Sequence, residues 1–330
     1  MKESTQPLAA EYDTALLDLD GVVYLGDHAV PGAVAGLASA RAAGMRAAFV
    51  TNNASRPPDV VAEQLRGLGV DAAVDDVVTS AQAAAHLIAD KVPAGAPVLV
   101  LGGAGLWTAV SESGLRAVTS AADEPVAVVQ GFSSDLDYAQ LAEGAHAVRG
   151  GAMFVASNMD ITLPGPRGPM PGNGSLVQVL RIATGVDPVS AGKPEPALYE
   201  EAMRRSGACK PLVVGDRLDT DIAGAVRAVV DSLLVLTGVS QPADVVRAPA
   251  EMRPNYLASD LAALTRPQPA VVPVADGWRC GSWTAAVVDR ELQLQGSGAF
   301  DDGLRALCAA SWAEPSPPDA GAALAALGAG

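Results

Sequence analysis

The strongest constraint on the fold is an alternation of strand-like and helix-like segments in the first 80 residues. TALLDLD (14–20) and MRAAFVTNN (45–53) are typical of buried strands. Residues 31–44 and 56–69 each carry proline early and glycine at the end, the usual asymmetry of a helix. A strand–helix alternation of this kind predicts a parallel sheet with helices on both faces. We therefore expect an α/β fold with a doubly wound, Rossmann-like core.

A second set of alternating segments, from about residue 82 to 190, indicates an inserted α/β cap domain. The boundaries predicted on this basis are a core in two parts, 1–81 and 191–265, the cap between them at 82–190, and a C-terminal region at 266–330. The strands and helices expected after the first 80 residues are strands 97–103, 125–132, 152–158, 211–216 and 232–238, and helices 137–150, 172–185 and 217–228.

The C-terminal region is expected to be a small α+β appendage behind a proline-rich linker, TRPQPAVVP (265–273). WTAAVVD (283–289) and ELQLQGSG (291–298) predict strands, and FDDGLRALCAASWA (300–313) predicts a helix. The last stretch, 313–330, is rich in alanine, glycine and proline and is expected to be loosely ordered.

Composition excludes several classes of protein. The net charge of −15 argues against nucleic acid and anionic membrane surfaces as general partners. No apolar run approaches the ~20 residues that span a bilayer, and we expect neither membrane insertion nor a secretory signal. The three cysteines are scattered, which indicates a reducing, cytoplasmic location and no zinc motif. The three histidines lie far apart, so a His-based metal site or catalytic triad is hard to build.

Polar residues follow four predicted strands abruptly, where each strand ends. They are the segments Asp18–Gly21, Thr51–Asn53, Gly192–Pro194 and Gly215–Asp216, the last with Asp219 and Asp221 nearby. If all four strands belong to one parallel sheet, these ends meet at one edge, where ligands bind in such folds. The sequence therefore predicts several carboxylates, one lysine, and hydroxyl and amide donors in a single cleft.

Crowded carboxylates repel one another unless they are protonated or bridged by a metal ion. Oxygen-only ligands without His or Cys suit Mg²⁺, and with a lysine they form a site for a phosphate dianion. One aspartate can then act as the nucleophile and form an aspartyl-phosphate. A second carboxylate two residues further on can protonate the leaving alkoxide and later deprotonate water.

These motifs together resemble the haloacid dehalogenase superfamily, in its phosphatase branch with a large C2-type cap. DLDGVVY, TNN, GKPEP and GDRLDTDI match the four motifs of that superfamily in order, over about residues 12 to 240. Within the branch, SNMD and PGNGSL are similar to the p-nitrophenyl phosphatase, pyridoxal phosphatase and glycerol phosphate phosphatase group. The tail resembles half of an acetyltransferase fold, and a tail of this kind makes the glycerol-3-phosphate phosphatases the most similar members of this group.

The resemblance implies a role for each matching residue. Asp18 is the nucleophile and a Mg²⁺ ligand, and Asp20 is the general acid and base, with its backbone carbonyl on the metal. Thr51 and Asn52 bind the transferring phosphoryl group, which Lys193 neutralises. Asp216 is the third protein ligand of Mg²⁺. Asp221 orients metal-bound water or Lys193.

Some residues keep two interpretations. Asn158 and Asp160 either face the active site as substrate-binding residues or serve as turn residues, and Asp219 is expected to be structural. The glycine-rich GGAGL (102–106) is not expected to bind a dinucleotide, because the third glycine and the later acid are missing. QGSGAF (295–300) echoes a coenzyme A loop, but about 60 residues are too few for a complete acetyltransferase.

The resulting prediction is a Mg²⁺-dependent hydrolase of a small phosphorylated metabolite, a phosphoric monoester hydrolase with an aspartyl-phosphate intermediate. The resemblance implies glycerol 3-phosphate as substrate and a homodimer formed through the cap. The alternatives are pyridoxal 5′-phosphate or another small metabolite, or a phosphatase whose C-terminal region mainly serves binding or regulation. The segment VVYLGD (22–27) is expected to form a flap over the site.

Overall fold

The structure is a computed structural model and describes residues 1–165 and 167–328. The strands, in chain order, are β1 Thr14–Leu17, β2 Tyr24–Leu25, β3 His28–Ala29, β4 Arg46–Thr51, β5 Val77–Thr79, β6 Pro97–Leu101, β7 Arg116–Val118, β8 Ala127–Gln130, β9 Met153–Ala156, β10 Thr162–Leu163, β11 Met170–Pro171, β12 Val189–Ser190, β13 Pro211–Gly215, β14 Asp231–Val235, β15 Tyr256–Ala258, β16 Val271–Val274, β17 Gly277–Cys280, β18 Trp283–Val288 and β19 Glu291–Gln295.

The helices follow the same order. They are α1 Leu8–Glu11, α2 Ala33–Ala42, α3 Pro58–Gly67, α4 Ser80–Ala89, α5 Ala104–Glu112, α6 Tyr138–Arg149, α7 Asn173–Thr184, α8 Ala197–Ser206, α9 Ala223–Arg227, α10 Pro242–Val246, α11 Phe300–Trp312 and α12 Gly321–Leu327. No helix among the described residues is long and apolar enough to cross a membrane.

The chain divides into two compact units. Unit 1 contains residues 1–48, 68–70 and the described residues from Ala208 onward, and unit 2 contains residues 49–67 and 71–207. The division passes through β4, whose first half belongs to unit 1 and whose second half belongs to unit 2. The domain boundaries drawn from the sequence remain predictions.

Unit 1 is built on a parallel sheet in the order β15–β14–β13–β1, and the first half of β4 follows β1. Nearly every residue of these four strands is buried, since side chains on both faces of the sheet are covered. A parallel sheet buried on both faces gives the continuous apolar runs seen in the sequence. The predicted α/β class is therefore confirmed.

The C-terminal module, residues 271–328, is an antiparallel sheet in the order β16–β17–β18–β19 with α11 and α12 packed against it. The predicted strands and helix of the appendage are confirmed. Two expectations were wrong. Part of the proline-rich linker is β16, because it pairs with β17. The final stretch contains α12, because Ala323, Leu324 and Leu327 bury one helix face in the core of the module; its last two residues lie outside the described part of the chain.

Unit 2 contains a five-stranded parallel sheet in the order β12–β9–β8–β6–β7 and a separate parallel pair formed by β5 and the second half of β4. Leucine, valine and phenylalanine side chains from β6, β8 and β9 pack with α6 and α7 into one apolar cluster. The chain runs from β6 outward to β7 and then returns to β8 on the other side of β6. Strand order therefore reverses between β6 and β8, which is where an open α/β sheet usually binds a ligand.

Candidate active site

Unit 1 holds a compact group of carboxylates at the carboxyl ends of two neighbouring strands. Asp18 follows β1 and Asp216 follows β13, and the Asp18 amide donates to the Val214 carbonyl at 2.8 Å. One carboxylate oxygen each of Asp18, Asp216 and Asp221 lies within 4.8 Å of the other two. Three anionic oxygens this close require a cation or a proton between them, and an all-oxygen donor set fits Mg²⁺. The residues present therefore suit the predicted metal.

Asp20 lies on a tight turn beside this group. β1 ends at Leu17, and Gly21 adopts a positive φ of 86°, so the chain turns directly after Asp20. The Leu19 carbonyl accepts hydrogen bonds from the amides of Val23 at 2.9 Å and Tyr24 at 3.1 Å, which closes the turn. The Asp20 side chain is exposed. It can therefore exchange protons, as the predicted role requires. β2 lies within the VVYLGD segment (22–27) and pairs with β3 in a hairpin, and the role of this segment as a flap stays a prediction.

The loop after β14 encloses the Asp216 carboxylate. The Val239 amide donates to Asp216 Oδ2 at 2.7 Å, and the Ser240 amide donates to the Asp216 carbonyl at 3.0 Å. A Cβ on Gly238 would lie 2.0 Å from Asp216 Oδ2, so only glycine permits this close approach. Thr237 Oγ1 donates to the Gly21 carbonyl at 2.5 Å. One loop thus contacts both Asp216 and the turn that carries Asp20.

Sequence reasoning missed this loop, although its signal is present. Thr237 and Gly238 follow the apolar run of β14 as abruptly as the other polar residues follow their strands. The local pattern alone indicates only that a strand ends here.

Two more acids follow β13 within a π-helical turn, Leu218–Ile222. Asp221 is buried, and its Oδ2 accepts from the Arg217 amide at 3.1 Å. Asp219 instead forms an ion pair with the Arg217 guanidinium at 2.7 Å, and that hydrogen bond holds the pKa of Asp219 below its ordinary value. The structure thus places Asp221 in the carboxylate group, while Asp219 pairs with its neighbour.

Unit 2 holds the remaining predicted site residues, and Asn52 lies at their centre. Its Oδ1 accepts from the Lys193 amide at 2.8 Å, and its Nδ2 donates to the Lys193 carbonyl at 3.2 Å and to Asp160 Oδ2 at 3.2 Å. Asn158 Nδ2 donates to the Asn52 carbonyl at 2.7 Å. Residues from three distant parts of the sequence are thus connected by hydrogen bonds.

Lys193 and Thr51 are both buried in this unit. Lys193 is only 4% exposed, and its Nζ donates to the Val50 carbonyl at 3.4 Å. Thr51 ends β4, and its Oγ1 accepts from the Asn53 amide at 3.1 Å. One expectation about Lys193 was wrong. The strand before it, β12, pairs with β9 in the five-stranded sheet and is not a strand of the parallel sheet that carries Asp18.

The glycine-rich segment 102–106 contacts the chain itself. The Gly105 amide donates to the Ser55 carbonyl at 3.1 Å. A Cβ on Gly103 would lie 2.9 Å from the Ser55 carbonyl oxygen, and one on Gly105 would lie 2.5 Å from the Arg56 carbonyl oxygen. The segment after Thr51 and Asn52 therefore packs closely against the glycine-rich segment that follows β6.

Replacing Gly105 with alanine should consequently displace residues 54–56. The new methyl group would press on backbone atoms that cannot rotate away, and we expect a loss of about 1–3 kcal/mol in the free energy of unfolding. Urea unfolding measures this loss. Gly67→Ala is the matched control, because a Cβ there meets nothing within 4 Å, and it should leave stability unchanged or slightly raised. Equal stability of the two variants would contradict the prediction.

The α/β fold and the carboxylate group together fit a phosphoric monoester hydrolase. Comparison with family models agrees. Residues 15–116 match the haloacid dehalogenase-like hydrolase model, residues 190–264 match a second, HAD-hydrolase-like model, and residues 280–329 match a GCN5-related N-acetyltransferase-like domain.

Curated relatives identify the family. A D-glycerol 3-phosphate phosphatase of Mycobacterium tuberculosis is 48% identical over 311 residues, which cover 92% of this chain and 87% of that protein. An acid sugar phosphatase of Staphylococcus aureus is 39% identical over 254 residues, 76% of this chain and 96% of that protein. The chain therefore belongs to the haloacid dehalogenase-like hydrolase family.

A solved structure extends the similarity to nearly the whole chain. The glycerol phosphate phosphatase of Mycobacterium tuberculosis, crystallised in complex with magnesium, superposes with a TM-score of 0.90 at 44% identity. The match covers 98% of this chain and 99% of that one, so it includes the C-terminal module.

Proposed function

We propose that this enzyme hydrolyses glycerol 3-phosphate to glycerol and phosphate, with Mg²⁺ as cofactor and an aspartyl-phosphate on Asp18 as intermediate. The observation that carries the proposal is the convergence of Asp18, Asp216 and Asp221 within 4.8 Å at the strand ends. Support for the substrate comes from the mycobacterial relative, a D-glycerol 3-phosphate phosphatase. The acid sugar phosphatase relative keeps other small phosphomonoesters as alternatives. Pyridoxal 5′-phosphate is a further alternative, which the motifs of the sequence suggest.

The metal would be held by Asp18, Asp216 and the backbone carbonyl of Asp20, with Asp221 supporting them. When bound, Mg²⁺ neutralises charge on the phosphoryl oxygens. The Asp216 carboxylate is already oriented, because its Oδ2 is fixed by the Val239 amide. Pre-orientation of this kind lowers the cost of forming the site.

Chemistry would proceed in two displacements on phosphorus. The Asp18 carboxylate attacks the phosphoryl group, the bond to the substrate oxygen breaks, and Asp20 donates a proton to the leaving alkoxide. Asp20 then takes a proton from water, whose oxygen attacks phospho-Asp18 and releases phosphate. Asp18 is regenerated as a carboxylate, and Asp20 is again protonated.

The resemblance assigns binding of the phosphoryl group to the other predicted residues. Thr51 and Asn52 would donate hydrogen bonds to its oxygens, and Lys193 would neutralise its charge. Asn158 and Asp160 contact Asn52 directly, which supports a role in orienting its amide. Direct contact of these two residues with the substrate stays a prediction.

Location and assembly are part of the proposal. The net charge of −15 argues against nucleic acid as a partner, and the free, scattered cysteines support a cytoplasmic location. A homodimer formed through the cap is supported by apolar side chains exposed on α7, with Val179 at 46% and Ile182 at 80% exposure. These lie three residues apart and therefore share one face.

A panel of phosphomonoesters tests the proposed substrate. It contains both enantiomers of glycerol 3-phosphate, pyridoxal 5′-phosphate and several sugar phosphates, with free phosphate as the readout. We expect the highest kcat/KM for one glycerol 3-phosphate enantiomer, loss of turnover with a chelator, and recovery when Mg²⁺ is restored. A higher kcat/KM for any other compound would identify that compound as the preferred substrate. Turnover unaffected by the chelator would contradict the proposed role of Mg²⁺.

A further inference from the structure

We propose that the C-terminal module fixes the loop that holds Asp216, with Trp312 and Arg253 as positioning residues for the metal site. The proposal rests on the Mg²⁺ site proposed above and assigns a function to the acetyltransferase-like region. The physical link is a chain of contacts, all in unit 1, that leads from α11 through α10 to residues 237–240.

The first step is the loop itself. Residues 237–240 contact the Asp216 carboxylate through the Val239 amide and the Gly21 carbonyl through Thr237. Ser240 Oγ also accepts from the Leu218 amide at 3.1 Å, on the turn that carries Asp221. A small displacement of this loop would therefore move several groups of the site together.

The second step is the helix that follows at once. Gln241 is the N-cap of α10, and its amide donates to Asp244 Oδ2 at 2.9 Å. With no linker between loop and helix, the position of α10 decides the position of the loop. Val245 and Val246 of α10 are fully buried, and they belong to the same apolar cluster as Leu304 and Leu307 of α11.

The third step is the connection of α10 to the end of α11. Trp312 Nε1 donates to the Val245 carbonyl at 3.1 Å, in the last turn of α10, and the same carbonyl also accepts from the Ala248 amide at 3.1 Å. Arg253 Nε donates to the Ala248 carbonyl at 3.0 Å, and its Nη1 donates to the Trp312 carbonyl at 3.3 Å. The guanidinium also lies 5.3 Å from the Trp312 ring centre.

These contacts fix the last turn of α10 against the C-terminal module. The first residue of α10 directly follows the loop that contacts Asp216. The tryptophan is suited to this because it combines apolar area with one donor that reaches a specific carbonyl. The module therefore acts as a rigid support behind Asp216.

The test is direct Mg²⁺ binding to full-length protein, measured by titration calorimetry well below the unfolding temperature. Trp312→Phe keeps an aromatic ring and removes the donor, and we expect the Kd for Mg²⁺ to rise about fivefold, since one hydrogen bond that fixes the site is lost. Trp283→Phe is the matched control. Trp283 Nε1 donates to the Ala299 carbonyl at 3.0 Å in the same module, away from α10, and this variant should bind Mg²⁺ like the wild type.

A second variant, Arg253→Met, removes the hydrogen bonds to the Ala248 and Trp312 carbonyls and should shift the Kd in the same direction. It also keeps the test informative if Trp312→Phe folds poorly. Wild-type protein that binds no Mg²⁺ would overturn the proposed metal site itself. Wild-type binding together with an unchanged Kd in both variants, or an equal rise in Trp283→Phe, would overturn the positioning role alone.

Discussion

Replacing Asp18 with asparagine is expected to lower Mg²⁺-dependent phosphate release by at least about 10³-fold, because the nucleophile is lost. The two side chains have nearly the same size, and the Asp18 amide keeps its hydrogen bond to Val214, so the fold should persist. Asp20→Asn should lower turnover by about 10²–10⁴-fold, the usual contribution of a general acid and base. Phosphate release at saturating Mg²⁺ and substrate measures both effects.

Asp219→Asn is the control for these two variants. It makes the same acid-to-amide change in the same unit, but Asp219 is paired with Arg217 outside the carboxylate group, and turnover should stay within about threefold of wild type. Thermal unfolding of all three variants checks that the chain is folded. Turnover retained by a folded Asp18→Asn variant would refute the proposed mechanism.

The second large effect concerns the C-terminal module. Placing a charge in its core, with Leu307→Asp, should prevent stable folding of unit 1 as a whole. Leu307 is fully buried in a cluster that runs without interruption from Leu218 and Ile222, beside the metal site, to Leu324 in α12. Uncovering several large apolar side chains costs about 1.5–3 kcal/mol each, and the net stability of a domain is only about 5–15 kcal/mol.

The measurements are soluble yield, the thermal unfolding temperature and the binding of a dye that reports exposed apolar surface. Val288→Asp is the matched control, because Val288 lies in the same sheet but is 45% exposed, and it should behave like wild type. Removing residues 266–330 should have the same effect as Leu307→Asp. A truncated chain with unchanged stability and kinetics would show that the module is an independent appendage.

The comparison with relatives sharpens this second prediction. The match to the Staphylococcus aureus phosphatase covers 76% of this chain but 96% of that protein. Nearly all of that protein is therefore matched without the remaining part of this chain. In this chain, however, Val245, Val246 and Leu257 are fully buried in the cluster shared with the module. We therefore expect the module to be required in this chain, although the family fold as a whole does not depend on such a module.

Local signals in the sequence predicted most of the elements that build the site. The helix expected at 172–185 forms as Asn173–Thr184, because a glycine bounds it at each end and its apolar residues repeat at helical spacing. The acidic end of β1 is an equally strong signal, since a buried strand that stops at two aspartates and a glycine is typical of a ligand-binding strand end. The loop at 237–240 shows the limit of this reasoning. Val239 contacts Asp216, 23 positions away, and Thr237 contacts the Gly21 carbonyl, 216 positions away. No local pattern contains such contacts.

By itself, the sequence determined the α/β class, the acidic strand ends, and the order of the motifs that carry the proposed chemistry. These depend on periodicity, turn residues and side-chain type, all of which act over a few neighbouring residues. The tertiary fold, in contrast, places Lys193 after a strand of the five-stranded sheet, packs residues 54–56 against Gly105, and gives the C-terminal module one core with the rest of unit 1. Those outcomes are set by which apolar surfaces bury each other, and burial is a property of the folded chain as a whole.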